Sequence, residues 1–228
     1  MAKKGSPVQA TEMRMAVYRV LLGASFLTFF ALVLAIPSYF ETTTLWYKTG
    51  ADKLMLITGQ HVGLAALVLL YLQIILSVQG SFLSQVFGAA NLIRMHKLNA
   101  LFIVTLAASH ILLVLLPEGL ANLPLGKKFW PEMVGGLLFL VIALTVAIAY
   151  LRSGLRLSYP VWRAIHKAAG FSILLLVTLH VLFVSESFEQ PIPRFSLLTL
   201  FGLTVIWSVV VKIRVARQAR KNPHRRRS

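Results

Sequence analysis

The sequence predicts an all-α membrane protein, a bundle of six transmembrane helices with both termini in the cytoplasm. Hydrophobic residues make up 57% of the chain and charged residues only 13%, and the mean hydropathy is +0.77. A soluble domain of 228 residues cannot bury that much apolar surface. Apolar runs long enough to span a bilayer also recur along the chain. The bilayer is therefore expected to solvate much of the protein.

Six apolar runs have the length of a membrane-spanning helix. The first run is too long for the apolar core of a signal peptide, and no small-residue cleavage site precedes Pro37, so we predict a retained helix. Residues 1–15 are then a cytoplasmic flank, residues 16–214 the membrane domain and residues 215–228 a basic tail. The runs cover approximately residues 16 to 36, 54 to 76, 95 to 116, 133 to 151, 166 to 184 and 195 to 213.

The distribution of charge predicts the orientation. The N-terminal flank, residues 77–97, residues 150–167 and the tail after 211 hold 18 of the 23 Lys and Arg, with Glu12 as their acidic residue. The other loops carry five basic and six acidic residues. By the positive-inside rule, both termini and the loops after the second and fourth runs face the cytoplasm. An even number of spans agrees with two termini on one side.

Cysteine is absent from the sequence. This excludes disulfides, iron–sulfur clusters and the covalent attachment of c-type haem. The formal net charge of +16 is explained by the cytoplasmic flanks, so no nucleic acid partner is expected. The basic tail is expected to lie on anionic membrane lipid, with the docking of an acidic flavoprotein as the alternative.

Two histidine pairs have identical spacing on two different runs. His96 and His110 lie on the third run, His166 and His180 on the fifth, and thirteen residues separate the members of each pair. In an α-helix, fourteen steps move the second histidine about 21 Å along the axis and to within about 40° of the same face. Since the predicted topology makes these helices parallel, His96 should face His166 near the cytoplasmic surface. By the same argument, His110 should face His180 near the outer surface.

Each facing pair is predicted to supply both axial ligands of one b-type haem, so two haems are expected. Anionic haem propionates need basic partners at the membrane boundary. Such residues flank the inner histidines on both runs, namely Arg94, Lys97, Arg163 and Lys167. The positive-inside distribution places basic residues there in any case, so these flanks are weaker evidence than the histidine spacing.

His61, on the second run, is expected at about the depth of His110 and His180. It is a candidate for proton delivery or acceptor binding near the outer haem. The alternative is a structural histidine, hydrogen-bonded within the bundle near Gln60 or Thr58.

Two other classes of protein remain open. A transporter or channel whose histidines relay protons predicts broken helices and buried carboxylates, whereas every acidic residue lies outside or at the edge of a run. A haem-free structural or assembly subunit predicts that no chromophore is bound.

With these four histidines, their helices and their basic flanks, the chain resembles the ferric reductase-like transmembrane domain family. That family includes the membrane domains of NADPH oxidases and ferric reductases, and the haem subunit of the periplasmic methionine sulfoxide reductase system. The resemblance covers about residues 16 to 214. It implies a b-type cytochrome, a component of an oxidoreductase, that passes electrons from the cytoplasmic side to an acceptor outside.

Members of the family often continue into a flavin- and nicotinamide-binding region. Here the segment after the sixth run is too short for such a domain, and no G-x-G-x-x-G motif follows a predicted strand. We therefore expect a separate donor, either a flavoprotein that carries FAD or FMN and uses NAD(P)H, or a membrane quinol. The acceptor is expected to be a ferric chelate, oxygen or a periplasmic redox protein, and the location a bacterial plasma (inner) membrane.

Overall fold

The chain folds into a helical bundle. The computed structural model describes residues 7–40, 42–77, 81–119 and 123–221, and no strand occurs among them. Within these described ranges, six helical segments are long and apolar enough to cross a membrane, which confirms the predicted all-α bundle of six membrane-spanning helices. The long helices are α1 (Pro7–Leu34), α3 (Gly50–Ser77), α5 (Ala89–Glu118), α6 (Trp130–Leu151), α7 (Tyr159–Val184) and α8 (Pro191–Lys221); the short ones are α2 (Ile36–Tyr39) and α4 (Ser81–Phe87), with 3-10 turns at Thr43–Tyr47, Lys127–Phe129 and Glu186–Glu189.

Several helices extend beyond the predicted apolar runs. The helix α7 begins at Tyr159 rather than at residue 166, because Ser158 is extended and Pro160 suits the first turn of a helix. His166 therefore lies well inside a helix. The helix α8 continues through part of the predicted basic tail to Lys221. Residues 222–228 of that tail and residues 1–6 of the N-terminal flank lie outside the described residues.

The helix α3 lies at the centre of the bundle and packs along α5, while α6 packs along α7. The helices α5 and α7, in contrast, make no extended backbone contact with each other. Leu67 and Tyr71 of α3 join Ile103 of α5 and Leu174 of α7 in the buried core. No residue in the membrane-spanning window of α1 is buried, so this helix is solvated mainly by lipid.

Three connecting segments meet at one end of the bundle. The backbone N–H and the hydroxyl of Thr43 both donate to Glu186, at 2.7 and 2.9 Å. Lys48 forms an ion pair with Glu118 at the end of α5, at 2.9 Å. The segments before α3, after α5 and after α7 are therefore on the same side, as six consecutive crossings require.

A buried hydrogen bond joins the central helix to α7. The hydroxyl groups of Tyr71 and Thr178 are 3.0 Å apart, and the two residues are 2% and 3% exposed. Thr178 also donates to the carbonyl of Leu174. If it does so, Tyr71 is the donor of the bond between the two hydroxyl groups, since each hydroxyl has a single proton.

We expect Tyr71→Phe to lower the free energy of unfolding by about 0.5–1 kcal/mol, because one buried hydrogen bond is lost while the ring still packs. Equilibrium unfolding of the purified protein in mixed micelles measures this difference. Tyr150→Phe is the matched control, since the side chain of Tyr150 is 56% exposed. Equal stability of Tyr71→Phe and the control would contradict the assigned role of the bond.

Candidate functional site

The four histidines of the predicted pairs come together across the gap between α5 and α7. The ring centroids of His96 and His166 are 6.1 Å apart, with 66° between the ring planes. Those of His110 and His180 are 6.4 Å apart, with 80° between the planes. Both pairs are formed in the same order along the chain, so α5 and α7 run parallel.

The spacing of the rings is suitable for one metal ion between each pair. Two imidazoles on opposite sides of one metal ion have ring centres about 6 Å apart, because each metal–nitrogen bond is about 2 Å long and each nitrogen lies roughly 1 Å from its ring centre. Among the described residues, no group of three or more His, Cys, Asp or Glu could hold a metal ion. Two axial histidines and a porphyrin form a complete ligand set for iron. The two pairs therefore fit haem.

The outer pair has its imidazoles oriented by backbone carbonyl groups. Nδ1 of His110 is 2.9 Å from the carbonyl oxygen of Gly59 on α3, and Nδ1 of His180 is 3.1 Å from that of Pro131 on α6. A carbonyl only accepts, so Nδ1 must carry the proton in both rings. The lone pair is then on Nε2, the nitrogen that is left for a metal.

Two glycines leave room for the outer imidazoles. A Cβ atom on Gly63 would lie 2.8 Å from Nδ1 of His110, and one on Gly135 would lie 2.7 Å from Nδ1 of His180. Both distances are shorter than ordinary van der Waals contacts, so a larger residue at either position would displace the ring. The absence of a side chain at these two positions allows the rings to approach α3 and α6.

The inner pair has a different environment. Nε2 of His96 is 3.2 Å from the side-chain nitrogen of Gln73 on α3. The indole of Trp162 stacks on the ring of His166, with centroids 5.2 Å apart and 25° between planes. Nδ1 of both inner histidines is buried without a hydrogen-bond partner among the described residues.

A cavity of about 190 Å³ opens beside His166, between α6 and α7, and Trp162 and Thr145 also line it. The indole N–H of Trp162 is buried and lacks a hydrogen-bond partner in the described part of the chain. The guanidinium of Arg152 lies 5.4 Å from the centre of the Trp162 ring. The unpartnered indole N–H and the guanidinium above the ring are polar features beside His166 that the sequence analysis did not identify.

The four basic residues predicted to bind propionates lie near the inner histidines in sequence. Arg94, Lys97, Arg163 and Lys167 are all exposed. Their positions near the inner pair are consistent with the predicted role, which stays a prediction.

His61 has a hydrogen-bond partner on its own helix. Its Nδ1 is 2.8 Å from the carbonyl oxygen of Ile57. Gly59, two residues away, contacts His110, so His61 does lie near the depth of the outer pair. Gln60 instead donates to Thr42, and Thr58 donates to Leu54. The local bond agrees with the structural interpretation of His61, and its accessory role stays untested.

The sequence analysis did not identify several parts of the site. These are Gly63, Gly135, Gln73 and the backbone carbonyl groups of Gly59 and Pro131. The spacing Gly59-x-x-x-Gly63 was an available signal, since small residues four apart let membrane helices approach closely. A Cβ on Gly59 would lie 3.1 Å from the side chain of Val114, which demonstrates such an approach between α3 and α5. For Gln73 and Gly135, no comparable pattern was present.

The chain matches the model of a known protein family. The family model described as "Ferric reductase like transmembrane component" matches residues 62–177. The matched region extends from α3 into α7 and contains His96, His110 and His166, while His180 lies just beyond it. No curated protein and no solved structure matches the chain.

Proposed function

The chain belongs to the ferric reductase-like transmembrane component family, and on this basis we propose that it is a two-haem electron-transfer protein. In this proposal His96 and His166 hold an inner b-type haem, and His110 and His180 hold an outer one. Domains of this family belong to oxidoreductase systems. The protein would thus be the membrane component of such a system.

The observation that carries the proposal is the pair of matched ring separations, 6.1 and 6.4 Å, on two parallel helices. One close histidine pair in a membrane bundle is readily explained by helix packing. Two pairs at equal sequence spacing, both at the separation suited to one metal ion, require a common cause. Binding of two haems at different depths provides that cause.

When bound, haem would supply one-electron chemistry, and each histidine pair would hold the iron of one haem. The four histidines would then keep substrates away from the metal, so the protein favours outer-sphere electron transfer. The Gly59 and Pro131 carbonyl groups hold the outer imidazoles in the metal-binding tautomer. Apolar residues of the bundle, together with the surrounding lipid, would keep the local dielectric around the rings low.

The proposed direction of transfer, from the cytoplasm outward, is the one that the family resemblance implies. In this proposal the protein lies in a bacterial plasma (inner) membrane, and under the positive-inside rule the termini and the inner pair would face the cytoplasm. Electrons would enter at His96 and His166 from a separate flavoprotein, with FAD or FMN and NAD(P)H, or from a membrane quinol. They would leave near His110 and His180 to a ferric chelate, oxygen or a periplasmic redox protein.

Transmembrane electron transfer can be tested in proteoliposomes with ferricyanide trapped inside and dithionite added outside. Wild-type protein should reduce the trapped ferricyanide at least about tenfold faster than protein-free vesicles, since neither reagent readily crosses lipid. The His96→Ala/His180→Ala double variant, reconstituted at equal density, is the control for leakage. A wild-type rate equal to that of the double variant would contradict the proposed function.

A further inference from the structure

The two histidine pairs differ in what their Nε2 atoms contact. In the outer pair, the hydrogen bonds of both rings are made by Nδ1, to the carbonyl groups of Gly59 and Pro131. In the inner pair, by contrast, Nε2 of His96 contacts the side-chain amide of Gln73, at 3.2 Å. In the outer pair, Nε2 is the nitrogen that is left to bind a metal, so Gln73 contacts the metal-binding nitrogen of His96.

The orientation of the Gln73 amide follows from its other contacts. The side-chain nitrogen of Asn99 donates to the carbonyl of Leu69 at 2.9 Å and to Oε1 of Gln73 at 2.7 Å. The NH₂ group of Gln73 therefore points away from Asn99, and it also donates to the backbone carbonyl of His96 at 3.0 Å. Flipping either amide would place an oxygen against an oxygen.

The fixed amide in turn determines the protonation of His96. The second N–H of Gln73 points at Nε2, so Nε2 accepts and carries the lone pair, while Nδ1 carries the proton. This is the tautomer that binds a metal through Nε2. The lone pair of His96 is, however, already engaged by Gln73, and iron must replace this hydrogen bond to reach it.

We propose that Gln73 competes with haem iron for Nε2 of His96 and so makes the inner site the weaker of the two haem sites. This inference rests on the proposed function. It predicts that the outer site fills first when haem is limiting. Loss of the Gln73 amide should therefore strengthen haem binding at the inner site, because the buried lone pair of His96 then lacks a partner until iron arrives.

The test is a haem titration of the full-length chain carrying His110→Ala, which leaves only the inner pair. Adding Gln73→Met, which keeps a side chain of similar length without an amide, should lower the dissociation constant for haem about tenfold. Gln60→Met is the matched control. Gln60 lies on the same helix but donates to Thr42, so its replacement should leave the constant unchanged. The low-spin spectrum of the ferric protein reports whether both imidazoles bind in each variant.

The opposite result would mean that Gln73 supports the fold or the ring rather than competing with iron. An unchanged or larger dissociation constant for Gln73→Met overturns the inference, provided that the variant is folded. If it does not fold, Gln73→Asn serves instead, since the shorter amide cannot reach both His96 and Asn99, and the same tenfold gain is expected. Wild-type protein that binds no haem would overturn the proposed function as well, whereas two equally tight sites would overturn this inference alone.

Discussion

Replacing His180 with alanine is expected to remove the outer haem and leave the inner one. The haem content should fall from about two to about one per chain, because a single remaining imidazole does not hold a six-coordinate b-type haem. His110→Ala should give the same result, since its ring forms the other half of the pair at 6.4 Å. Pyridine haemochrome analysis of purified protein measures the loss directly.

The matched control for these variants is His61→Phe. His61 lies near the same depth, but its ring bonds the carbonyl of Ile57 on its own helix. We expect this variant to keep both haems, which would separate axial ligation from the general loss of a membrane histidine. A haem content of about two per chain together with an unchanged low-spin spectrum in His180→Ala would exclude His180 as an axial ligand.

The second large effect is expected from Gly135→Leu. Its Cβ would lie 2.7 Å from Nδ1 and 3.1 Å from Nε2 of His180, so the added side chain must push the imidazole out of line with His110. We expect this variant to lose the outer haem as completely as His180→Ala, although no ligand atom is removed. The inner haem should remain, because His96 and His166 are not contacted.

The neighbouring residue provides a sharp control for Gly135→Leu. A Cβ on Gly136 would meet no atom within 4 Å, so Gly136→Leu should keep both haems. The two variants have the same composition and lie one residue apart in one helix. If Gly135→Leu also kept about two haems per chain, binding of the outer haem would not depend on the space left by Gly135. The described outer site would then be wrong.

Much of the architecture could be predicted because membrane helices follow simple rules. A spanning helix needs an apolar run, and helical rise relates residue spacing to depth. Those rules were sufficient to predict six spans and to place His96 with His166 and His110 with His180. They failed at helix ends, since α7 begins at Tyr159 in a sequence too polar to count as apolar. Proline and helical hydrogen bonding, rather than hydropathy, determine where such helices begin.

The environment of the histidines could not be predicted in the same way. Gly135 and Gln73 matter because of the helices that face them, and a single sequence does not reveal which side chain faces which. The carbonyl of Pro131 is an even clearer case, since every residue has a carbonyl group and only the fold selects this one to bond His180. Tertiary packing, not local pattern, therefore determines the tautomers of His96, His110 and His180.

The central claim is that the four histidines bind two haems, and its most direct test is the haem stoichiometry of the wild-type chain. The protein should be made in haem-replete cells, purified in detergent and analysed by pyridine haemochrome together with a reduced-minus-oxidised spectrum. The account predicts about two b-type haems per chain and a low-spin spectrum typical of two axial imidazoles. A folded, colourless protein would contradict it and leave the paired histidines as structural or proton-carrying groups.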